Sequence, residues 1–319
     1  MANTNVVANY PGVQEVIGMV ISPNGGQVLY VGTAAQVAAL GETGECIASR
    51  VSPTVDKALA QCVSGRGDFV YILPGYTETV STADQWASLG TKTAVSVIGL
   101  GTGMNRPTFT YSAADATILM DAANFAIRNC IFYMAGATGS TTALTVAAPI
   151  TVSAAGCAIT DNYIHFGVDA DQLVTIGITT TLAADNFEFK RNQCYGATLA
   201  ACTSFLYLVG ADWCQVHDNV IIGGTSSVNV GVVRFITTAS IGIDFRRNAF
   251  MNITASSVHA VTQMAGVLGQ VQDCNFGILN DSGLAGWVPA GAGDGPQLFN
   301  CRTANLAGEQ GGITTPVST

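Results

Sequence analysis

Charge is what this chain has least of. Only 10% of its 319 residues are charged, against about 25% in ordinary soluble domains. Basic residues are the scarcer kind: 12 Lys+Arg stand against 21 Asp+Glu, a net charge of -9. That shortage excludes a general nucleic-acid binder, which needs a basic surface to displace counterions. It equally excludes a polybasic attachment to membrane surfaces. Apolar runs are short, and none reaches 18 residues without a Gly or polar interruption, so no membrane-spanning helix is expected. Met1 to Tyr10 carries neither a basic stretch nor an apolar one, so no secretory leader is expected. Low charge with 49% hydrophobic residues is the reverse of a disordered composition.

Paired cysteines are missing too. The nine Cys are odd in number, scattered, and form no CxxC. They read as buried free thiols made in a reducing cytosol, not as a disulfide frame or a zinc site. No cofactor is expected.

What the chain has is a repeat. An apolar residue, two further residues, Asn, any residue and an apolar residue recur as Ala126–Ile131, Ile159–Ile164, Phe189–Cys194, Val216–Ile221 and Phe245–Phe250. A sixth copy, Val271–Phe276, carries Cys274 where Asn is due. The Asn positions are 129, 162, 192, 219 and 248, stepping by 33, 30, 27 and 29 residues. A second apolar segment lies between successive copies. Two or three short strands per repeat, with Gly, Ala, Ser and Asp at the turns, fit a parallel β-helix in which each coil stacks on the last. The fold class is therefore all-β: a right-handed parallel β-helix with a short N-terminal capping helix and an N-terminal arm with a hairpin.

Asn129, Asn162, Asn192, Asn219 and Asn248 are expected to form a structural ladder at an inward bend. The residues before them, Arg128, Asp161, Arg191, Asp218 and Arg247, with Asp273 in the sixth copy, alternate in sign. Stacked about 4.8 Å apart, each charge would sit between two opposite ones. This is an ion ladder that sets register; a charged subunit interface is the alternative.

Before the repeat, Ser52 as N-cap and Pro53 at the first helical position open a helix near 53–64, with Val55, Leu59, Cys62 and Val63 on one stripe. It would plug the open end of the solenoid. Residues 51–307 form the β-helix. Residues 1–50 form the arm, with a hairpin turning at Ser22–Gly26 between Val16–Ile21 and Val28–Val31. It is read as an anchor to a neighbouring surface, with packing on its own barrel as the alternative. Residues 308–319 form a loose tail. Gly99-Leu100-Gly101-Thr102-Gly103 lacks the Lys and the helix of a phosphate loop and reads as a turn.

Gly67-Asp68-Phe69-Val70-Tyr71-Ile72-Leu73-Pro74-Gly75-Tyr76-Thr77-Glu78 follows the capping helix. Val95–Gly103 then runs on to Asn105-Arg106-Pro107-Thr108-Phe109. With the Asn-bearing coils behind them, these segments resemble the pectate-lyase-like right-handed β-helix. More narrowly, residues 50 to 300 are similar to β-helical structural proteins of tailed-bacteriophage virions. The resemblance implies a non-enzymatic virion protein, a capsid decoration or cement protein or a head or tail appendage. It implies self-association as a homotrimer, contact with other virion proteins such as the major capsid protein, and synthesis in the bacterial host cytoplasm. The alternative is a receptor-binding tailspike-type protein that binds or degrades host polysaccharide, with glycan as partner.

The residues themselves show no catalytic constellation. A glycosidase needs two carboxylates about 5 to 9.5 Å apart across a groove. Glu188 and Asp244 fall on one face two coils apart, roughly 10 Å. His165, His217 and His259 occupy unlike repeat positions. Trp86, Trp213 and Trp287 are too few and too spread for a sugar-stacking groove. Asp169 and Asp171, two apart in a turn, are the one candidate for a Ca²⁺ site, against a solvated turn.

Overall fold

Short runs of alternating apolar residues, ended by bends, make strands that stack on their successors instead of folding back as hairpins. The computed structural model of the chain describes residues 25–36, 51–86, 92–134, 144–166, 172–196, 202–225, 231–254, 259–262, 265–278, 287–288, 295–305 and 312–313. They form a parallel β-helix of about seven turns with very little helix. A complete coil gives one strand to each of three sheets, in which successive coils pair in parallel. A representative coil runs Ala158–Thr160 in the first sheet, bends at Asp161 and continues as Tyr163–Phe166 in the second. It then supplies Ile176–Thr180 to the third sheet and bends at Asn186 into Glu188–Lys190, which lies beside Ala158–Thr160. Among the described residues the three sheets hold eleven, ten and seven strands.

The interior is built from columns of like residues in register. Val97, Ile127, Ile159, Phe189, Val216, Phe245 and Val271 follow one another along the first sheet, all fully buried. Ile118, Ile150, Ile178 and Leu206 do the same along the third. On the second sheet, Phe109 stacks on Phe132 at 5.5 Å between ring centroids. Each such side chain contributes roughly 1.5–3 kcal/mol by its burial.

The capping helix is present, with its N-cap two residues later than expected. Helix α1 spans Val55–Gln61, and Thr54 is its N-cap, its side chain accepting from the Lys57 amide at 3.3 Å. Ser52, expected at that position, belongs to strand Val51–Ser52, and its hydroxyl accepts from Gln61 Nε2 at 2.9 Å. Val55, Ala58 and Leu59 are buried against the first strands of the first sheet, which covers the end of the stack. Val63, expected on the apolar stripe, is 48% exposed, because the helix ends before it.

Strand Val28–Val31, read from the sequence as half of an arm hairpin, lies inside the first sheet. It pairs in parallel with Phe69–Ile72 on one edge and with Val51–Ser52 on the other. Both edges at Tyr30 and Val31 are thus taken, which leaves none for an antiparallel partner. The remainder of that hairpin, Val16–Ile21 with Ser22–Asn24, lies outside the described residues. Within the tail, Gly312–Ile313 pairs antiparallel with Arg302–Thr303. The glycine-rich segment is a turn, as expected. Asn129 Nδ2 donates to the carbonyls of Gly99 (2.8 Å) and Gly101 (3.0 Å), and a Cβ on Gly99 would lie 2.3 Å from the Asn129 carbonyl.

The Asn ladder exists, one member short. Asn162, Asn192, Asn219 and Asn248 are all at most 1% exposed. Asn192 Oδ1 accepts from the backbone N–H of Asn162 (3.0 Å) and from its Nδ2 (3.2 Å). Asn219 serves Asn192 in the same way at 2.9 and 3.1 Å, and Asn248 serves Asn219 at 3.0 and 3.0 Å. The second Nδ2 proton of each goes to a carbonyl of the preceding coil: Ile127, Ile159, Phe189 and Val216. Asn129 is not in this column. Register pairs Arg128 with Thr160, which sets Asn129 beside Asp161 and Cys130 beside Asn162. The Cys130 amide accordingly donates to Asn162 Oδ1 at 2.9 Å. The left-handed backbone at the bend is also carried by the residue before the ladder Asn, not by that Asn: Asp161, Arg191, Asp218, Arg247 and Asp273 have φ of 52 to 61°. In the first coil Asn129 itself holds that place, at φ 55°.

Removing one rung strands its neighbours in a dry interior. Asn192→Ala or Asn219→Ala is expected to cost about 3 kcal/mol or more, from buried donors left without an acceptor. Urea denaturation followed by circular dichroism checks it, with the exposed Asn186→Ala as a variant that should cost far less.

Candidate functional site

With the interior committed to structure, function is left to the outer faces and the corners between them. The charged ladder runs along the bend between the first and second sheets, and the structure resolves it into closed pairs instead of an unbroken alternation. Arg191 reaches back one coil to grip Asp161 with Nε and Nη2, at 2.6 and 2.7 Å. Arg247 grips Asp218 likewise, at 2.6 and 2.8 Å. Asp273 accepts from Asn300 Nδ2 at 2.6 Å. Arg128 is not part of the row. It stands next to Thr160 on the first sheet, because the first coil is offset by one residue from the spacing read in the sequence. Aligning Ala126-Ile127 with Ala158-Ile159, not with Ile159-Thr160, would have exposed that offset. The paired groups are 35% to 57% exposed, and such ion pairs add little net stability.

The outer face of the first sheet carries the titratable groups. Glu188 and Asp244 do point the same way, as expected, but each is occupied. Lys190 Nζ lies 3.2 Å from Glu188 Oε2 and donates to Gln215 Oε1 at 2.8 Å. Asp244 Oδ1 accepts from Arg246 Nε at 2.7 Å and from Gln270 Nε2 at 3.2 Å. Both acids pair with a cation two residues on, which a strand places on the same face. His217 Nε2 approaches Asp244 Oδ2 at 3.3 Å without hydrogen-bond alignment. Burial holds the His217 imidazole below its ordinary value, although Asp244 pulls the other way. The result is a knitted polar strip, not a carboxylate pair facing a substrate groove.

The second sheet is different. Its outward positions from Thr108 to Gly277, over seven successive strands, include no Asp, Glu, Lys or Arg. One column reads Thr110, Tyr133, His165, Tyr195, Ile222, Met251, all half-buried. The rings touch: Tyr133 to His165 at 5.3 Å, Tyr163 to Tyr195 at 5.6 Å, His165 to Tyr195 at 6.3 Å. His165 Nδ1 is buried without a hydrogen-bond partner, and burial lowers the pKa of its ring. A search of the sequence for tryptophan misses this stripe. The signal was there in Tyr133, Tyr163 and Tyr195, but only register shows that they share a face.

The thiols divide by place. Cys130 precedes the Asn column, and Cys274 and Cys301 follow it, in line with register. Cys194 lies in the second-sheet interior, where burial raises its pKa well above the ordinary value. Burial likewise pushes Cys130 up to about 12. Thiols held so fully protonated are poor nucleophiles. At the capped end, a cavity of about 460 Å³ is lined by Asp56, Glu78, Asp84, Gln85 and Trp86 among others. Glu78 is already engaged there by the Val55 amide, the Tyr76 hydroxyl and Gln85 Nε2. Asp169 and Asp171 lie outside the described residues. Among the described residues no group of three metal-ligating side chains converges, and no helix is long and apolar enough to cross a membrane.

No protein-family model and no curated protein matches the chain. Among solved structures it is similar to the A-module of mannuronan C-5 epimerase AlgE6 from Azotobacter vinelandii, at 15% identity over 75% of this chain and 86% of that one, with a TM-score of 0.33. At that level the likeness is one of parallel β-helical winding alone.

The Arg247–Asp218 pair gives a pH signature. Arg247 is the chief cause of a lowered Asp218 pKa. A depressed carboxylate stabilises the fold above its unfolded pKa, about 3.9, and that contribution is lost as pH falls through the folded value. In Arg247→Met, carboxyl NMR titration should find Asp218 moved up towards the ordinary value, with the first-sheet resonances unmoved.

Proposed function

We propose that this chain is a non-enzymatic structural protein of a tailed-phage particle, a decoration or appendage that associates with its own copies side by side. The observation that carries the reading is the charge-free outer face of the second sheet. Interface centres are depleted of charge and enriched in Tyr and Met. This face has both features, over a length of roughly 29 Å at about 4.8 Å per coil. Solenoids lying parallel present the same face at the same height, which suits a closed cyclic assembly such as the homotrimer. The interior supports the same reading, since a solenoid with its polar bends satisfied and its first end capped is a stiff rod. The acids Glu188 and Asp244 of the first sheet are each tied to a cation two residues on. The virion setting itself rests on the sequence resemblance, with the shell protein as the other partner.

A second reading, a receptor-binding protein that holds host polysaccharide, is favoured by one feature. Trp213 is 60% exposed on the corner between the third and first sheets.

Sedimentation velocity tests the first reading. The wild-type chain should sediment as a trimer. Ile222→Arg with Met251→Arg should give a monomer with an unchanged β-rich spectrum. A monomeric wild type would sink the self-association. Quantitative peptide mass spectrometry of purified particles tests the setting, and absence of the chain from them would overturn it.

A further inference from the structure

We propose that the corner at Trp213 is a binding site for a neutral polysaccharide, an inference that rests on the second reading of function and not on the first. The bend before most first-sheet strands holds a residue with left-handed backbone. In other coils it is Ala94 (φ 59°), Asn124 (59°), Gly156 (71°), Asn186 (57°) and Gly242 (68°), all but Ala94 residues that adopt this conformation readily. In one coil it is Trp213, at φ 59°. A bulky aromatic there is an outlier that costs stability, and such outliers gather at functional positions.

The coil above is shaped to receive the ring. A Cβ on Gly242 would fall 2.3 Å from Trp213 Cε3, so the indole lies against the bare Gly242 backbone with its other side open. Ile241 and Leu268 follow in the next two coils, 42% and 44% exposed, and Leu182 precedes, 59% exposed. Leu182 packs over Gly210, where a Cβ would meet its Cδ2 at 2.5 Å. Leu182, Trp213, Ile241 and Leu268 thus give four successive coils one exposed apolar side chain each, an apolar ridge that follows the corner. Exposed apolar groups that gather in this way, unlike scattered ones, mark a contact site.

What stands beside the ridge identifies the occupant. Asp185 Oδ1 accepts from the Asp212 amide at 3.0 Å, and Asp212 Oδ1 accepts from the Ile241 amide at 2.9 Å. These bonds fix both carboxylates, and among the described residues neither has a cationic partner. A flat apolar platform bordered by fixed acceptors matches a pyranose, which offers a C–H face and hydroxyl donors together. The acids repel a uronate or sulfated chain and so select a neutral one. A second copy is a poor occupant, because it would bury both acids and this chain has 12 Lys+Arg to answer 21 Asp+Glu.

Isothermal titration with maltohexaose, cellohexaose and mannohexaose tests the site, with hexagalacturonate as the anionic probe. Trp213→Asn puts at the bend the residue that two neighbouring coils carry, so it should fold at least as well as the wild type. The expected result is binding of a neutral oligomer, weakened at least tenfold in Trp213→Asn and severalfold in Asp212→Asn, and partly kept in Trp213→Phe. If the wild type binds none of the neutral oligomers, the polysaccharide reading itself falls. If it binds and Trp213→Asn binds as tightly, that reading survives and this site is overturned. Tighter binding of hexagalacturonate overturns the ligand class. A loss of self-association in Trp213→Asn, with no change in sugar binding, assigns the ridge to a second copy instead.

Discussion

A carboxamide carried into a dry interior must recover every hydrogen bond it gave up to water, and everything else in this solenoid follows from how that is done. Each ladder Asn finds its partners only in the coils before and after it. The oxygens of Asn192, Asn219 and Asn248 each take two donors from the preceding coil's Asn, and the amide protons of Asn162, Asn192 and Asn219 go back to a carbonyl and forward to the next Asn oxygen. The arrangement works at one coil spacing and in one register, since a slip by one residue would turn every side chain to the opposite face. The aromatic and aliphatic columns fill the same stack without specifying it so narrowly, because packed apolar residues tolerate exchange better than buried amides tolerate a missing partner.

Once the interior is fixed in this way, the outer faces are free to differ, and they do. The first sheet spends its acids on its own bases, from Glu188–Lys190 to Asp244–Arg246. The second has no formal charge at all over seven strands, which leaves a face of rings and aliphatic side chains only half covered. The corner before the first sheet holds Trp213, an exposed aromatic side chain on left-handed backbone. One chain therefore offers a knitted polar strip, an uncharged stripe and an apolar ridge on separate sides, so that the proposed self-association and the proposed ligand binding would not compete for surface.

The sequence alone carried the fold, through the spacing of Asn162, Asn192, Asn219 and Asn248 and the apolar residues around them. It carried the helical cap to within two residues. The alternating charges were legible, yet their pairing was not. Nothing in a row of signs says that Arg191 turns back to Asp161 and not forward to Asp218. The first coil misled for a definite reason. Asn129 fits the motif as written, but a bend with left-handed backbone accepts Asn as readily as an inward ladder does, so the residue type could not separate the two places. Val28–Val31 misled because a strand beside a Gly-rich turn looks alike whether its partner is local or forty residues away.

What the sequence determined by itself is what repeats: the winding, the interior columns, the ladder and the cap. Periodic residues must occupy equivalent places, and an interior that excludes water permits few solutions for a buried amide. The tertiary structure alone decided what stands next to what on the outside. Tyr133, His165 and Tyr195 are about thirty residues apart in turn and become neighbours only through register. Trp213 gains its platform from Gly242 in the following coil. A surface contact is set by stacking between coils, and the loops that connect those coils vary in length, so no spacing along the chain records it.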